Sequence, residues 1–367
     1  MTKRLTALDV FRGMTIAAMI IVNNPGSWRY VWPPLRHAQW HGWTPTDLIF
    51  PFFLFIVGVS LSLSLSRRLA AGETGSRLYA KIIRRSLILF LLGLLLNFIP
   101  RFDLAHLRIP GVLQRIALCY FLASLLYLKT SRRFQLGLSL FILVGYWAVL
   151  KFVPFPGQGA DAFSPQANLA GYLDTHLLAG HLYRPHFDPE GLLSTFPALV
   201  TTLLGVFTGE WLRQKQLPLN VKMAWLAPVG LVLLGLGLVG HSFFPINKNL
   251  WTSTYVLFTG GAAILMLSLC LLVVELGGYR KWAYPFLVFG TNPITVYVGS
   301  SLLAKLMGVI KLASNSQTIS LKGFIFQKLL APWAGNYGGS LLFPLFLLAF
   351  WLAVLAPLYR RKIFIRI

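Results

Sequence analysis

What most constrains this chain is a series of apolar stretches, each about 17–25 residues long, that recurs along its whole length. As a helix, each is long enough to cross a hydrocarbon core roughly 30 Å thick. The core holds no water to bond a bare backbone, so a spanning segment must satisfy its own N–H and C=O groups, as an α-helix does. The expected fold is therefore all-α: a polytopic integral membrane protein, with the lipid bilayer as its first partner. Composition agrees, with 56% hydrophobic residues and 12% charged, where soluble domains carry about 25% charged. A formal charge of +23 would suggest nucleic-acid binding in a soluble chain. The hydropathy excludes that reading, and no nucleic-acid partner is expected.

Windows of about 19 residues place about ten spans, at 7–24, 46–66, 82–99, 111–128, 134–152, 191–212, 221–240, 250–275, 282–307 and 339–359. The stretch 308–338 is only patchily apolar and reads as an outer loop with an interfacial or re-entrant helix around 319–330; an eleventh span there is the alternative. The whole chain, 1–367, reads as one transmembrane domain. The N-terminus superficially matches a secretory signal, but Asp9 and Arg12 precede the apolar run and no small-x-small site follows, so an uncleaved first span is expected. Cys119 and Cys270 both sit in apolar stretches, which supports neither a disulfide framework nor a cysteine metal site.

Lys and Arg are retained on the cytoplasmic side during insertion. With the N-terminus inside, 20 cations fall on the inner segments, among them Lys3, Arg4, Arg67, Arg68, Arg77, Lys81, Arg84, Arg85 and the tail Arg360, Arg361, Lys362 and Arg366. Twelve fall outside, spread over longer loops. An even number of spans returns the C-terminus to the cytoplasm. All seven histidines (His37, His41, His106, His176, His181, His186 and His241) then face outward, as do Asp47, Asp103, Asp161, Asp174, Asp188 and Glu190. Groups able to move protons near neutral pH thus gather away from the cytoplasm, and an active site is expected to open there.

Residues 8–59 are the most informative. Asp9 and Arg12 are spaced i, i+3 and form a candidate structural ion pair at the inner entrance of the first span, where a lone charge is costly. Asn23 and Asn24 reach the outer surface, and a loop rich in Trp, Pro and His follows. Asp47 opens the second span, where an acid is stabilised by the helix dipole; a simple N-terminal cap is the plain reading. His37 and His41 are four apart, but WPPLRHAQWHGW is a poor helix and no further ligand is evident, so no metal is expected. His176, His181 and His186 read as a solvated loop.

The pattern LDVFRG, then VNN, then RHAQWHGWTPTDLIFPFFLFIVG resembles the transmembrane acyltransferase family of lysosomal heparan-alpha-glucosaminide N-acetyltransferase and its bacterial relatives. Further matches follow in order: RIPGVLQRIALCYF (108–121), DPEGLLSTFPALVTTLLGVFTGEWL (188–212), PINKNLWTSTYVLFTGG (245–261) and GTNPITVYVGSSLL (290–303). The resemblance implies the catalytic membrane core alone, without the lumenal domain and extra first span of the lysosomal enzyme, in a bacterial inner membrane with both termini cytoplasmic. It implies transfer of an acetyl group from cytoplasmic acetyl-CoA, a co-substrate rather than a resident cofactor, to an amino sugar on the far side. A homodimer is among the expectations. The family's H-A-x-W-x-G motif matches His37, Ala38, Trp40 and Gly42, which implies His37 as catalytic. The family's catalytic asparagine matches Asn23, with Asn24 as the alternative because the intervening loop is longer here.

Histidine suits both base and nucleophile roles. His37 either deprotonates an amine that attacks acetyl-CoA directly, which needs fewer steps, or becomes acetylated itself. Arg115 is a candidate for neutralising Asp47 or Asp103 or for orienting substrate. Lys248 is a candidate for CoA phosphate or an acidic glycan, and Trp40, Asn292 and Tyr297 complete the binding candidates. CoA requires a cationic path from the inner mouth. Two competing functions fit the same pattern: an amino-sugar transporter, since polar residues lie at membrane depth, and an O-acyltransferase of cell-envelope polysaccharide.

Overall fold

The computed structural model describes residues 5–159, 161–314 and 317–365; Lys3, Arg4 and Arg366, counted among the inner cations, lie outside them. Helices dominate. In chain order they are α1 (Thr6–Asn23), α2 (Ile49–Ala70), α3 (Ser76–Phe98), α4 (Val112–Lys129), α5 (Arg132–Phe152), α6 (Leu169–Leu177), α7 (Thr195–Arg213), α8 (Leu219–Gly240) and α9 (Ser253–Cys270), which continues as a π-helical turn Leu271–Leu276. Then come α10 (Tyr284–Thr291), α11 (Pro293–Val309), an antiparallel hairpin of β1 (Lys311–Ser314) and β2 (Gln317–Ser320), α12 (Leu321–Phe324) with a π segment Ile325–Leu330, and α13 (Ala331–Arg360).

Among the described residues, seven helices are long and apolar enough to cross a membrane, or eight if α10 and α11 form one broken span. These helices alone do not make up the expected ten, for two physical reasons. The segments 82–99 and 191–212 are helical, as α3 and α7, but α3 carries Arg77, Lys81, Arg84 and Arg85 in its first turns, and α7 is diluted by four threonines and Glu210. The segment 282–307 is not one helix either. It breaks at Asn292, where α10 and α11 bend by 86°, because Pro293 lacks the N–H that would continue the ladder. The final span also begins earlier than expected, within a helical run Leu321–Arg360. That run is interrupted at Gly335, whose φ of 70° only glycine adopts without strain.

The centre of the bundle is built on close backbone approach. Between lipid-solvated helices the hydrophobic drive is weak, and small residues that let backbones meet supply the packing. Gly58 on α2 lies against the Thr202 carbonyl of α7, and Gly205 on α7 against the Phe55 carbonyl of α2. Gly13 on α1 meets Phe286, just where α10 begins, and Gly290 on α10 meets Asp9 of α1. A Cβ at any of the four would overlap backbone. The helices α5 and α8 lie at the rim, with Phe134, Leu140, Phe141, Leu231, Val232 and Val239 exposed, as lipid-facing surfaces require.

Candidate active site

The loop between α1 and α2 is held rigidly. Arg36 Nε donates to the Val31 carbonyl at 2.7 Å, Thr44 Oγ1 to the Arg36 carbonyl at 2.6 Å, and Trp40 Nε1 to the Phe163 carbonyl at 2.7 Å. Gly42 N–H donates to the Ile246 carbonyl at 2.8 Å, which docks this loop on the one between α8 and α9. Gly42 has φ 92°, so the turn depends on glycine.

This docking brings His37 and Lys248 to Asp47. His37 Nδ1 lies 2.6 Å from Asp47 Oδ1, and Lys248 Nζ lies 3.0 Å from His37 Nδ1, 3.3 Å from Nε2 and 3.6 Å from Asp47 Oδ1. The other carboxylate oxygen, Oδ2, accepts from the Ala38 N–H and the Thr44 N–H, both at 3.0 Å. Thr44 and Asp47 form a reciprocal capping box at the start of the second span. Asp47 is thus a helix cap through one oxygen and a histidine partner through the other, and its side chain is 1% exposed while that of His37 is 47% exposed. Tyr255, on α9, donates its hydroxyl to the Asp47 carbonyl at 2.5 Å. Burial holds the Lys248 amine below its ordinary pKa, with Asp47 pulling it back up.

A cavity of about 370 Å³ opens over this group, lined by Asn23, His37, Trp40, Asp47, Lys248 and Tyr297 together with residues that the sequence did not offer as binding candidates: Arg108, Tyr183, Arg184, Phe187 and Glu190. Arg108 is clamped there by Asp188, at 2.8 and 2.6 Å, and by Glu190 at 2.5 Å, and the two acids hold its pKa above the ordinary value against the cost of burial. The DPEG run within 188–212 is the available signal for Asp188 and Glu190, because the sequence has only 10 acids.

Three candidates lie elsewhere. Asn24 turns inward, its Nδ2 donating to the Ile20 carbonyl at 2.9 Å, so only Asn23 reaches the cavity. Asn292 sits at the α10–α11 break and holds the C-terminal segment, donating to the Ile363 carbonyl at 3.3 Å and accepting from Ile365 N–H at 2.8 Å. Arg115 is 1% exposed and faces α7, donating to the Gly191 carbonyl at 3.0 Å and to Ser194 Oγ at 2.5 Å. It pairs with neither Asp47 nor Asp103: the oxygens of Asp47 are already engaged, and Asp103 pairs with His106 at 2.8 Å.

At the opposite end of α1, Asp9 and Arg12 pair at 2.9 Å, and Arg12 also donates to Ser60 Oγ at 2.7 Å and the Gly290 carbonyl at 3.1 Å. They border a second cavity of about 940 Å³ whose other walls carry Arg67, Arg85, Arg213, Lys215 and Lys222. On α1 the two cavities are separated by the rise from Arg12 to Met19, about 10 Å. At that height Ile16, Phe55 and Ile56 are fully buried. His181 Nδ1 donates to the Leu107 carbonyl at 2.7 Å, tying the segment after α6 to the α3–α4 loop, and His176 Nδ1 donates to the Tyr172 carbonyl at 2.8 Å within α6. Among the described residues no three His, Cys, Asp or Glu side chains gather as metal ligands.

Fold and site together define a multi-pass helical membrane protein with a histidine–carboxylate pair in a polar cavity at one end and a cationic cavity at the other. Residues 4–244 match the family described as heparan-alpha-glucosaminide N-acetyltransferase, catalytic, and the chain belongs to that family. It is 32% identical to heparan-alpha-glucosaminide N-acetyltransferase of Homo sapiens over 423 aligned positions, and 30% identical to that of Mus musculus over 422. Each alignment covers 99% of this chain and 60% of the relative, so the chain spans about 60% of the length of the curated relatives it matches.

Proposed function

We propose that the chain is a transmembrane N-acetyltransferase that carries the acetyl group of cytoplasmic acetyl-CoA to the amino group of a glucosamine-type sugar on the opposite side of a bacterial inner membrane. One observation carries the reading: His37, its partner Asp47 and Asn23 border one cavity, at the end of the bundle away from the cation-rich cavity. In the proposed topology the chain crosses ten times, α3 and α7 included, with both termini in the cytoplasm. CoA then enters through the cationic cavity, its phosphates near Arg67, Arg213 and Lys215, and its pantetheine arm bridges the apolar layer around Ile16 and Phe55.

The chemistry follows from the hydrogen bonds. With the Nδ1–H of His37 given to Asp47, the lone pair of Nε2 is the base. The acceptor amine attacks the thioester carbonyl; a C–N bond forms, and the C–S pair leaves with sulfur as the CoA thiolate. Nε2 takes the proton shed by the nitrogen and passes it to the thiolate. Asn23 Nδ2 and Lys248 Nζ, both on the wall of this cavity, are the proposed donors to the developing oxyanion, each such donor being typically worth about 10²–10³ in rate. Trp40, Tyr183 and Phe187 supply faces on which a sugar ring packs.

The test uses purified protein in proteoliposomes with labelled acetyl-CoA and glucosamine. N-Acetylglucosamine is expected, falling to background in His37→Ala. Absence of product, or an unchanged yield in that variant, sinks the reading, and sugar uptake without any acetyl donor supports a transporter instead.

A further inference from the structure

The turn joining α2 to α3 overlooks a third cavity, of about 300 Å³, into which Arg68, Lys81, Arg84 and Arg85 converge. One carboxylate serves this group: Glu73 pairs with Arg68 at 3.3 Å and Lys81 at 2.7 Å. Four cations therefore face one acid. The Arg85 guanidinium lies 4.6 Å above the Tyr120 ring, and its Nε is buried with no hydrogen-bond partner. A buried guanidinium N–H without an acceptor is costly, and the oxyanion that best fits clustered guanidinium and ammonium donors is a phosphate.

The same helix says which phosphate. Ile83, Leu87, Leu91 and Leu95 recur at every fourth position of α3 and are 45, 55, 60 and 47% exposed, which places them on one face. The stripe runs for about 18 Å and starts beside Arg84. A soluble anion uses only the cations, whereas an acidic lipid uses both cations and stripe. Basic pockets between transmembrane helices at a membrane surface bind such headgroups. We propose that this cavity seats the phosphate of an anionic phospholipid, with an acyl chain lying along the Ile83–Leu95 face. The proposal goes beyond the acetyl-transfer reading and does not depend on it, although Arg85 and Ser64 border both this cavity and the larger cationic one.

The experiment takes the full chain in nanodiscs of phosphatidylcholine doped with phosphatidylglycerol and measures lipid retained after extraction by native mass spectrometry. Inorganic phosphate and CoA serve as competitors. Phosphatidylglycerol is expected to be retained over phosphatidylcholine. Retention should fall about 20- to 30-fold in the double variant Lys81→Gln, Arg84→Gln, and persist in the charge-preserving Lys81→Arg, Arg84→Lys. Neither competitor should displace it. Equal retention of the two lipids, or retention unchanged in the Gln variant, overturns the proposal. Displacement by inorganic phosphate assigns the cavity to a free anion, and displacement by CoA assigns it to the acetyl donor; both also overturn it. Loss in both double variants alike makes the pair structural rather than phosphate-binding, with the same consequence. Binding is read without any acetyl transfer, so its failure is distinct from failure of the proposed enzyme function.

Discussion

Asp47 does two jobs with two oxygens, and they can be separated by substitution. Asp47→Asn keeps one acceptor for the Ala38 and Thr44 N–H groups but removes the charge facing His37. If His37 is the base, acetyl transfer is expected to fall about 10²–10³-fold, mainly in kcat, while melting of the purified protein changes little. A rate within a factor of a few of the parent would remove Asp47 from the chemistry. Asp174 poses a different question, because burial pushes its carboxyl up to about 6, beyond the usual carboxylate range, despite the bond accepted from Leu192 N–H at 2.9 Å. The native state thus holds this proton more tightly than the unfolded chain, and its stability declines as pH rises from about 4 to about 6. Asp174→Asn keeps the Leu192 acceptor and sheds the charge. It should raise the melting temperature above pH 6 and give no advantage below pH 4; equal curves at both ends would refute the assignment.

At the scale of elements, the α2–α7 and α1–α10 contacts turn on glycines that let backbones meet. Gly58 and Gly205 lock α2 to α7, and α2 carries Asp47 at its N-terminal approach and Ser60 beneath Arg12. Gly58→Leu should force the pair apart and cost roughly 2–4 kcal/mol by overpacking, seen as early melting and aggregation on size exclusion. The same substitution at the exposed Gly137 of α5, which has open space around it, should be tolerated. The i, i+3 spacing of Asp9 and Arg12 made their pairing readable from sequence, since both ends lie on one helix. Nothing local marked Arg115 as a support for the α7 entrance, or Asn292 as the clasp of the C-terminal segment. Their partners, Ser194 and Ile363, are 79 and 71 residues away.

For the whole molecule, the proposed sidedness is checked by cysteine labelling. Single cysteines at Gly72, in the α2–α3 turn, and at His106, in the α3–α4 loop, should react with an impermeant thiol reagent from opposite faces of oriented vesicles, since Cys119 and Cys270 are buried. Labelling of both from one face would remove α3 as a crossing. The sequence by itself determined the helical membrane class, the approximate position of nearly every long helix and the identity of His37, Asp47 and Lys248 as residues of interest, because membrane-spanning hydropathy and motif spacing are local properties of the chain. Only the tertiary structure decided that these three meet, that Asn23 and not Asn24 reaches the cavity, that Glu190 and an Arg108 held by Asp188 line it, and that α10 and α11 bend apart. Those outcomes depend on loops docking across the bundle and on backbones meeting at glycines, contacts between residues up to a few hundred positions apart that no local pattern encodes.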